Sequence, residues 1–185
     1  MAKIVALSTI VVMLFIPMQA AAGDDSARPA PPLTATSALW LGPVKLGVLP
    51  PPEIPPDNPQ TARKILLGKQ LYFDTRLSRD NTVSCATCHS PSMGWSDEGP
   101  TSAGIEGQRG GRRAPPASNS AYNPLQFWDG RSQSLEDQAK GPIQNPIEMG
   151  NTHQVMIRTV NDIPGYVEEF KEVFGTGPIT VDQVA

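Results

Sequence analysis

Two cysteines and a histidine packed into five positions, Cys85-Ala86-Thr87-Cys88-His89, constrain this chain more than any other feature of it. Thiols three positions apart on one helical turn can each form a thioether with a porphyrin vinyl group. A histidine next in line can then place a ring nitrogen under the iron. The chain is therefore expected to wrap around a covalently attached haem c, with Cys85 and Cys88 as the attachment residues and His89 as the proximal iron ligand. These are the only two cysteines in 185 residues, so no thiol remains for a structural disulfide. The pair is either cofactor-bound or a redox dithiol.

Competing uses of the motif ask for different surroundings. A thioredoxin-like dithiol needs a βαβ frame, whereas the flanks Asn81 to Ser84 and Ser90 to Trp95 are polar and broken by Gly and Pro. A structural zinc needs about four ligands, and outside the motif the chain offers His153 and carboxylates.

The N-terminus points to export. Lys3, an apolar run from Ile4 to Ile16, Pro17 and then Ala20-Ala21-Ala22 follow the order of a secretory signal, so residues 1–22 are expected to be a signal peptide. The run is shorter than the ~20 apolar residues a membrane helix needs. No stable membrane insertion is expected after cleavage, and the location that fits is the periplasm. The formal charge of −3, which loss of Lys3 alone makes −4, argues against a nucleic-acid partner.

Twenty prolines and sixteen glycines imply a loop-rich domain in which a buried haem replaces part of the side-chain core. Residues 23–57 read as a Pro-rich linker or strap, with Pro50-Pro51-Pro52 and Pro55-Pro56 holding the backbone extended and Trp40 and Leu41 as candidate anchors. Asn58-Pro59 is expected to cap and open a helix running to about Phe73. Further helices are expected over 134–139, 152–160 and 164–174, the last ended by Gly175. No run alternates convincingly enough for a strand, and the fold class is all-α, a loop-rich cytochrome c-like domain. Thr180 to Ala185 reads as a capped helix start cut short, so residues 58–185 are expected to be an N-terminal haem domain truncated at its C-terminus.

Several stretches in order carry a family resemblance: Leu67 to Ser78 (LGKQLYFDTRLS), the haem motif followed by Gly94-Trp95-Ser96-Asp97, Gln126 to Arg131 (QFWDGR), Ser134 to Ala139 and Pro146 to Gly150. In these the chain resembles the bacterial di-haem cytochrome c peroxidases, including the MauG-type enzymes, over the N-terminal half of the usual member. The resemblance implies a peroxidatic haem on His89, with Glu148, Gln138 and Trp128 on the distal side or close to the macrocycle. It also implies hydrogen peroxide as substrate, a small periplasmic electron donor such as a cytochrome c or cupredoxin, and a second haem only in a full-length protein. A carboxylate in a poorly hydrated pocket suits proton transfer during O–O cleavage. Gln138 can donate and accept at once, and Trp128 offers a π-system for packing or for sharing oxidising equivalents.

The chain departs from the family pattern in three places. Ile105 follows Gly104 where many members carry a histidine that ligates the resting iron, which implies an open sixth position. Arg113 stands where many have an interface-calcium asparagine, which counts against calcium. The second CxxCH half is absent. A different class of protein, a mono-haem electron carrier, remains open at this point: Met149 follows His89 by sixty residues, a spacing compatible with axial Met/His ligation. His153 is a further candidate axial ligand, whereas Met93 is too near His89 to reach the opposite face.

Overall fold

A computed structural model describes residues 47–185. The expected signal peptide, most of the expected strap and its candidate anchors Trp40 and Leu41 lie outside the described residues. Leu49–Ala185 forms one compact unit.

Among the described residues six α-helices run in order: α1 Ala62–Phe73, α2 Cys85–Cys88, α3 Leu135–Gln144, α4 His153–Asn161, α5 Pro164–Phe174 and α6 Val181–Val184. Among the described residues no strand exceeds a single bridge, so the chain is all-α as its patterning predicts. Three helices each bury an i,i+4 pair, the spacing that puts two side chains on one face. These are Leu67 and Leu71 of α1, Met156 and Val160 of α4, and Tyr166 and Phe170 of α5. The pairs meet Leu77, Val83, Ile105, Ile143, Met149 and Ile179 in one apolar core. Each such side chain removed from water contributes ~1.5–3 kcal/mol. No helix among the described residues is long and apolar enough to cross a membrane.

Helix ends differ from the sequence reading where tertiary bonds compete. The cap of α1 is Thr61, whose hydroxyl accepts from the Lys64 N–H (3.2 Å). Asn58 instead donates to Glu136 (2.7 Å) and accepts from Lys64 Nζ (2.9 Å), tying the entry segment to α3 and α1. Helix α3 continues five residues past Ala139, through Pro142. Its last turn is held from outside: the Met149 N–H donates to Pro142 O, the Asn151 N–H to Ile143 O and the Asn145 N–H to Gly141 O, while Ile143 is buried. Helix α5 spans the expected residues and ends at Gly175.

The long stretch between α2 and α3 is built from three small loops, each closed by one antiparallel bridge six residues wide: Ser90 to Ser96, Ala103 to Arg109 and Gln126 to Ser132. Each turns through left-handed backbone, at Gly94 and Trp95, at Glu106 and Gly107, and at Phe127 and Gly130. Glycine takes that conformation freely, but Trp95 and Phe127 are bulky residues held there against steric preference.

Candidate haem site

Helix α2 is a single turn stapled at its start, where the Ser84 N–H donates to Thr87 Oγ1 (2.9 Å) and the Thr87 N–H to Ser84 O (3.1 Å). That turn presents Cys85 and Cys88 as half-buried free thiols. Burial pushes the Cys85 thiol up to about 11, and burial likewise raises Cys88, with the negative charges of Asp97 and Glu148 adding to it. A redox dithiol needs a stabilised thiolate. Both thiols here are driven the other way, which suits conversion to neutral thioethers.

His89 follows at the end of the turn, and two bonds orient it. Its Nδ1 pairs with the carbonyl of Pro115 at 2.9 Å, and the Tyr72 hydroxyl donates to its backbone carbonyl at 2.7 Å. Nδ1–H donation to a carbonyl fixes the tautomer whose Nε2 carries a lone pair, as metal-bound imidazoles require. Among the described residues nothing bonds Nε2, and no three His, Cys, Asp or Glu side chains converge as a metal cage. The residues present therefore fit a haem c: two thioether-forming sulfurs, an oriented imidazole with a free ring nitrogen, and loops in place of a continuous core.

Glu148 is half-buried between α3 and α4, and its Oε1 accepts from Asn145 Nδ2 at 2.8 Å. Burial raises its carboxyl above the ordinary glutamate range, while Asn145, Arg131 and His89 pull in the other direction without cancelling it. Glu148 thus shares one electrostatic neighbourhood with His89 and Cys88. Its backbone is pinned by the Ala103–Arg109 loop, because the Ile105 N–H donates to Glu148 O (2.8 Å). Gly104 is essential to this approach, since a Cβ there would lie 2.0 Å from Ile147 O. The Ile105 side chain points into the core, fully buried, with its Cδ1 where a Cβ on Gly150 would fall. The position that the resemblance makes a loop ligand in other members is here a core anchor.

Gln138 is half-buried on α3, one turn before Pro142, and its amide makes no hydrogen bond among the described residues. Trp128 is 63% exposed and donates from Nε1 to Arg113 O at 2.8 Å. Asp129 beside it bridges Arg112 and Arg131, whose hydrogen bonds hold its carboxyl down to about 2. The Arg131 guanidinium also stacks on Phe127, 3.4 Å from the ring centre. The Arg113 guanidinium donates to Asp97 O. Met149 is buried in the apolar core, and His153 Nε2 pairs with Lys140 O at 3.0 Å. Asn145, Pro115 and Tyr72 are the partners that sequence reading missed. The Pro115 and Tyr72 contacts to His89 are fixed only by folding, and the Asn145 bond to Glu148 is a local one with no motif to mark it.

Residues 62–185 match the family model described as di-haem cytochrome c peroxidase. The chain is 46% identical over 127 residues to a cytochrome c551 peroxidase of Nitrosomonas europaea, covering 69% of this chain and 38% of that protein. It is 45% identical over 122 residues to the methylamine utilization protein MauG of Methylorubrum extorquens, covering 66% and 35%. Among solved structures it is similar to a MauG-like protein associated with microbial copper homeostasis, with a TM-score of 0.68 at 29% identity over 74% of this chain and 42% of that one. The diheme peroxidase BthA of Burkholderia thailandensis gives a TM-score of 0.58 at 26% identity, covering 68% and 35%. The chain belongs to the di-haem cytochrome c peroxidase family, a family of oxidoreductases, and membership implies haem c. It spans little more than a third of the length of the curated relatives it matches.

Proposed function

We propose that residues 58–185 form the peroxide-reacting haem domain of a periplasmic c-type peroxidase, exported by residues 1–22 and preceded by a strap over 23–57. The substrate is hydrogen peroxide, reduced with electrons from a small periplasmic donor such as a cytochrome c or cupredoxin. The observation that carries this reading is Glu148: a half-buried carboxyl with a raised pKa, in the electrostatic neighbourhood of His89 and Cys88, which a simple electron carrier has no need to keep.

The haem, when attached through Cys85 and Cys88 and ligated by His89, supplies the iron that binds peroxide and the electrons that reduce it. Pro115 holds the His89 ring in the ligating tautomer, and Tyr72 restrains its backbone. Glu148 accepts the proton that peroxide sheds on binding and returns it to the departing oxygen. A carboxyl raised by burial, yet kept from full neutrality by Arg131 and Asn145, suits both directions of transfer. Gln138 has a free amide with which to orient peroxide or water. Trp128, with its π-system, would support passage of oxidising equivalents to or from a bound haem. Ile105, packed into the core, has no atom able to ligate an iron, so this loop would supply no ligand to a bound haem.

The test is the ferric spectrum and its response to peroxide. The account expects a high-spin, five-coordinate or water-bound haem that takes up cyanide without prior reduction and reacts with peroxide. A low-spin resting spectrum with a methionine-to-iron charge-transfer band, lost in Met149→Leu, contradicts it and supports the electron-carrier reading.

A further inference from the structure

An aromatic pair, Tyr72 and Trp95, lies beside His89 and has no part in the peroxide chemistry proposed above. The Tyr72 hydroxyl donates to the His89 carbonyl at 2.7 Å, and the Tyr72 ring meets Trp95 edge to face with centroids 5.8 Å apart. Trp95 is 39% exposed and sits at φ +64°, a left-handed backbone that costs a bulky residue energy. Two hydrogen bonds maintain the conformation: the Trp95 N–H donates to Ser90 O (2.8 Å), and its carbonyl accepts from the Ala117 N–H (2.8 Å). The loop that holds Trp95 therefore begins at the residue after His89 and is fastened to the segment that follows Pro115, the partner of the His89 ring. The strained conformation keeps an oxidisable indole at the surface, one ring and one hydrogen bond from the residue under the iron.

The geometry points to Trp95 as a redox-active surface residue whose indole gives up an electron to the site, coupled through Tyr72 and His89 to the haem that Cys85 and Cys88 would hold. This rests on the peroxidase reading above. Reduction of one hydrogen peroxide to two waters takes two electrons and two protons. With no donor present, one electron would come from the bound haem and one from the Trp95 indole; the indole N–H releases one of the two protons through solvent water, and solvent water supplies the other. A donor protein returns both electrons, in two one-electron steps, and the indole recovers its proton from water. Tyr72 is the bridging residue and need not itself be oxidised.

The haem-loaded chain, mixed with one equivalent of hydrogen peroxide without donor and frozen rapidly, should show an indole radical by electron paramagnetic resonance. Peptide mass mapping after longer exposure should find oxygenated tryptophan at Trp95 rather than at Trp128 or Trp40. Trp95→Phe should keep haem content and the ferric spectrum and lose both signatures. Tyr72→Phe, which keeps the ring and deletes the bond to His89, should delay the radical while leaving Trp95 in place. If the haem spectrum responds to peroxide but the radical and the oxygenated residue are absent or map to another tryptophan, or survive Trp95→Phe, the inference is overturned and the peroxidase reading stands. If the haem spectrum does not respond at all, both fall.

Discussion

Glu148 is the residue on which the proposed chemistry turns, and its environment fixes the expected pH dependence. It must be ionised to take the peroxide proton, and burial raises its pKa. The rate of the ferric protein with peroxide should therefore fall on acidification with a midpoint above that of ordinary glutamate. Glu148→Gln should retain haem, flatten that acid limb and slow the reaction by ~10²–10⁴-fold, the usual contribution of a general acid or base; stopped-flow absorbance measures both, and a parent-like rate would remove Glu148 from the mechanism. Gln138→Ala should cost less, because orientation is lost while proton transfer survives. Gly104→Ala tests the pinning of Glu148: overpacking against Ile147 O should destabilise the fold by ~1–3 kcal/mol in denaturant titration. At this scale Cys85, Cys88 and His89 stood out as candidates by their spacing, and Glu148 by the family pattern. Asn145, Pro115 and Tyr72 were not, because the bonds of Pro115 and Tyr72 to His89 span 26 and 17 positions and the Asn145 bond to Glu148 reads locally as a helix end.

Among the elements, the junction between α1 and α5 carries a partly buried titratable contact at Asp74. Asp74 ends α1, and its hydroxyl and guanidinium partners come from Tyr166 of α5 (2.7 Å) and Arg76 (2.6 Å). Burial alone would raise the Asp74 carboxyl, but the bonds from Arg76 and Tyr166 outweigh it and hold it below the usual aspartate range. A depressed pKa stabilises the fold above the unfolded-state value, and that contribution is lost as pH falls through the depressed one. Tyr166→Phe removes a hydrogen bond to a charged group and should cost ~1.5–3 kcal/mol near neutral pH. The gap from the parent should narrow as pH drops below the Asp74 value; a gap independent of pH would show that the cost is packing alone. Helix positions in the C-terminal third were legible because Met156 with Val160 and Tyr166 with Phe170 follow the helical repeat. The start of α1 and the passage of α3 through Pro142 were not. Asn58 and Pro142 obey local rules only when no distant partner competes, and here Glu136 and Met149 do.

Across the described residues as a whole, the helix faces supply much of the apolar core, and of the three bridged loops between α2 and α3 only the middle one adds to it, through Ile105. Trp95 and Trp128 stand exposed on those loops. An attached haem would give the loops the apolar mass they lack, which explains how a chain so rich in proline and glycine holds a defined site. The loop paths themselves were not readable in advance, since single bridges and left-handed turns at Trp95 and Phe127 leave no periodic trace in sequence. The central claim is that Cys85 and Cys88 bind haem covalently under His89. It is tested most directly by denaturing electrophoresis with haem staining, on the chain expressed in an exporting host that attaches haem c, beside Cys85→Ala/Cys88→Ala. The account predicts one haem that stays on the denatured parent chain and is extracted from the double variant by acidified organic solvent. A parent chain without haem, or pigment that remains on the double variant after denaturation, would contradict it.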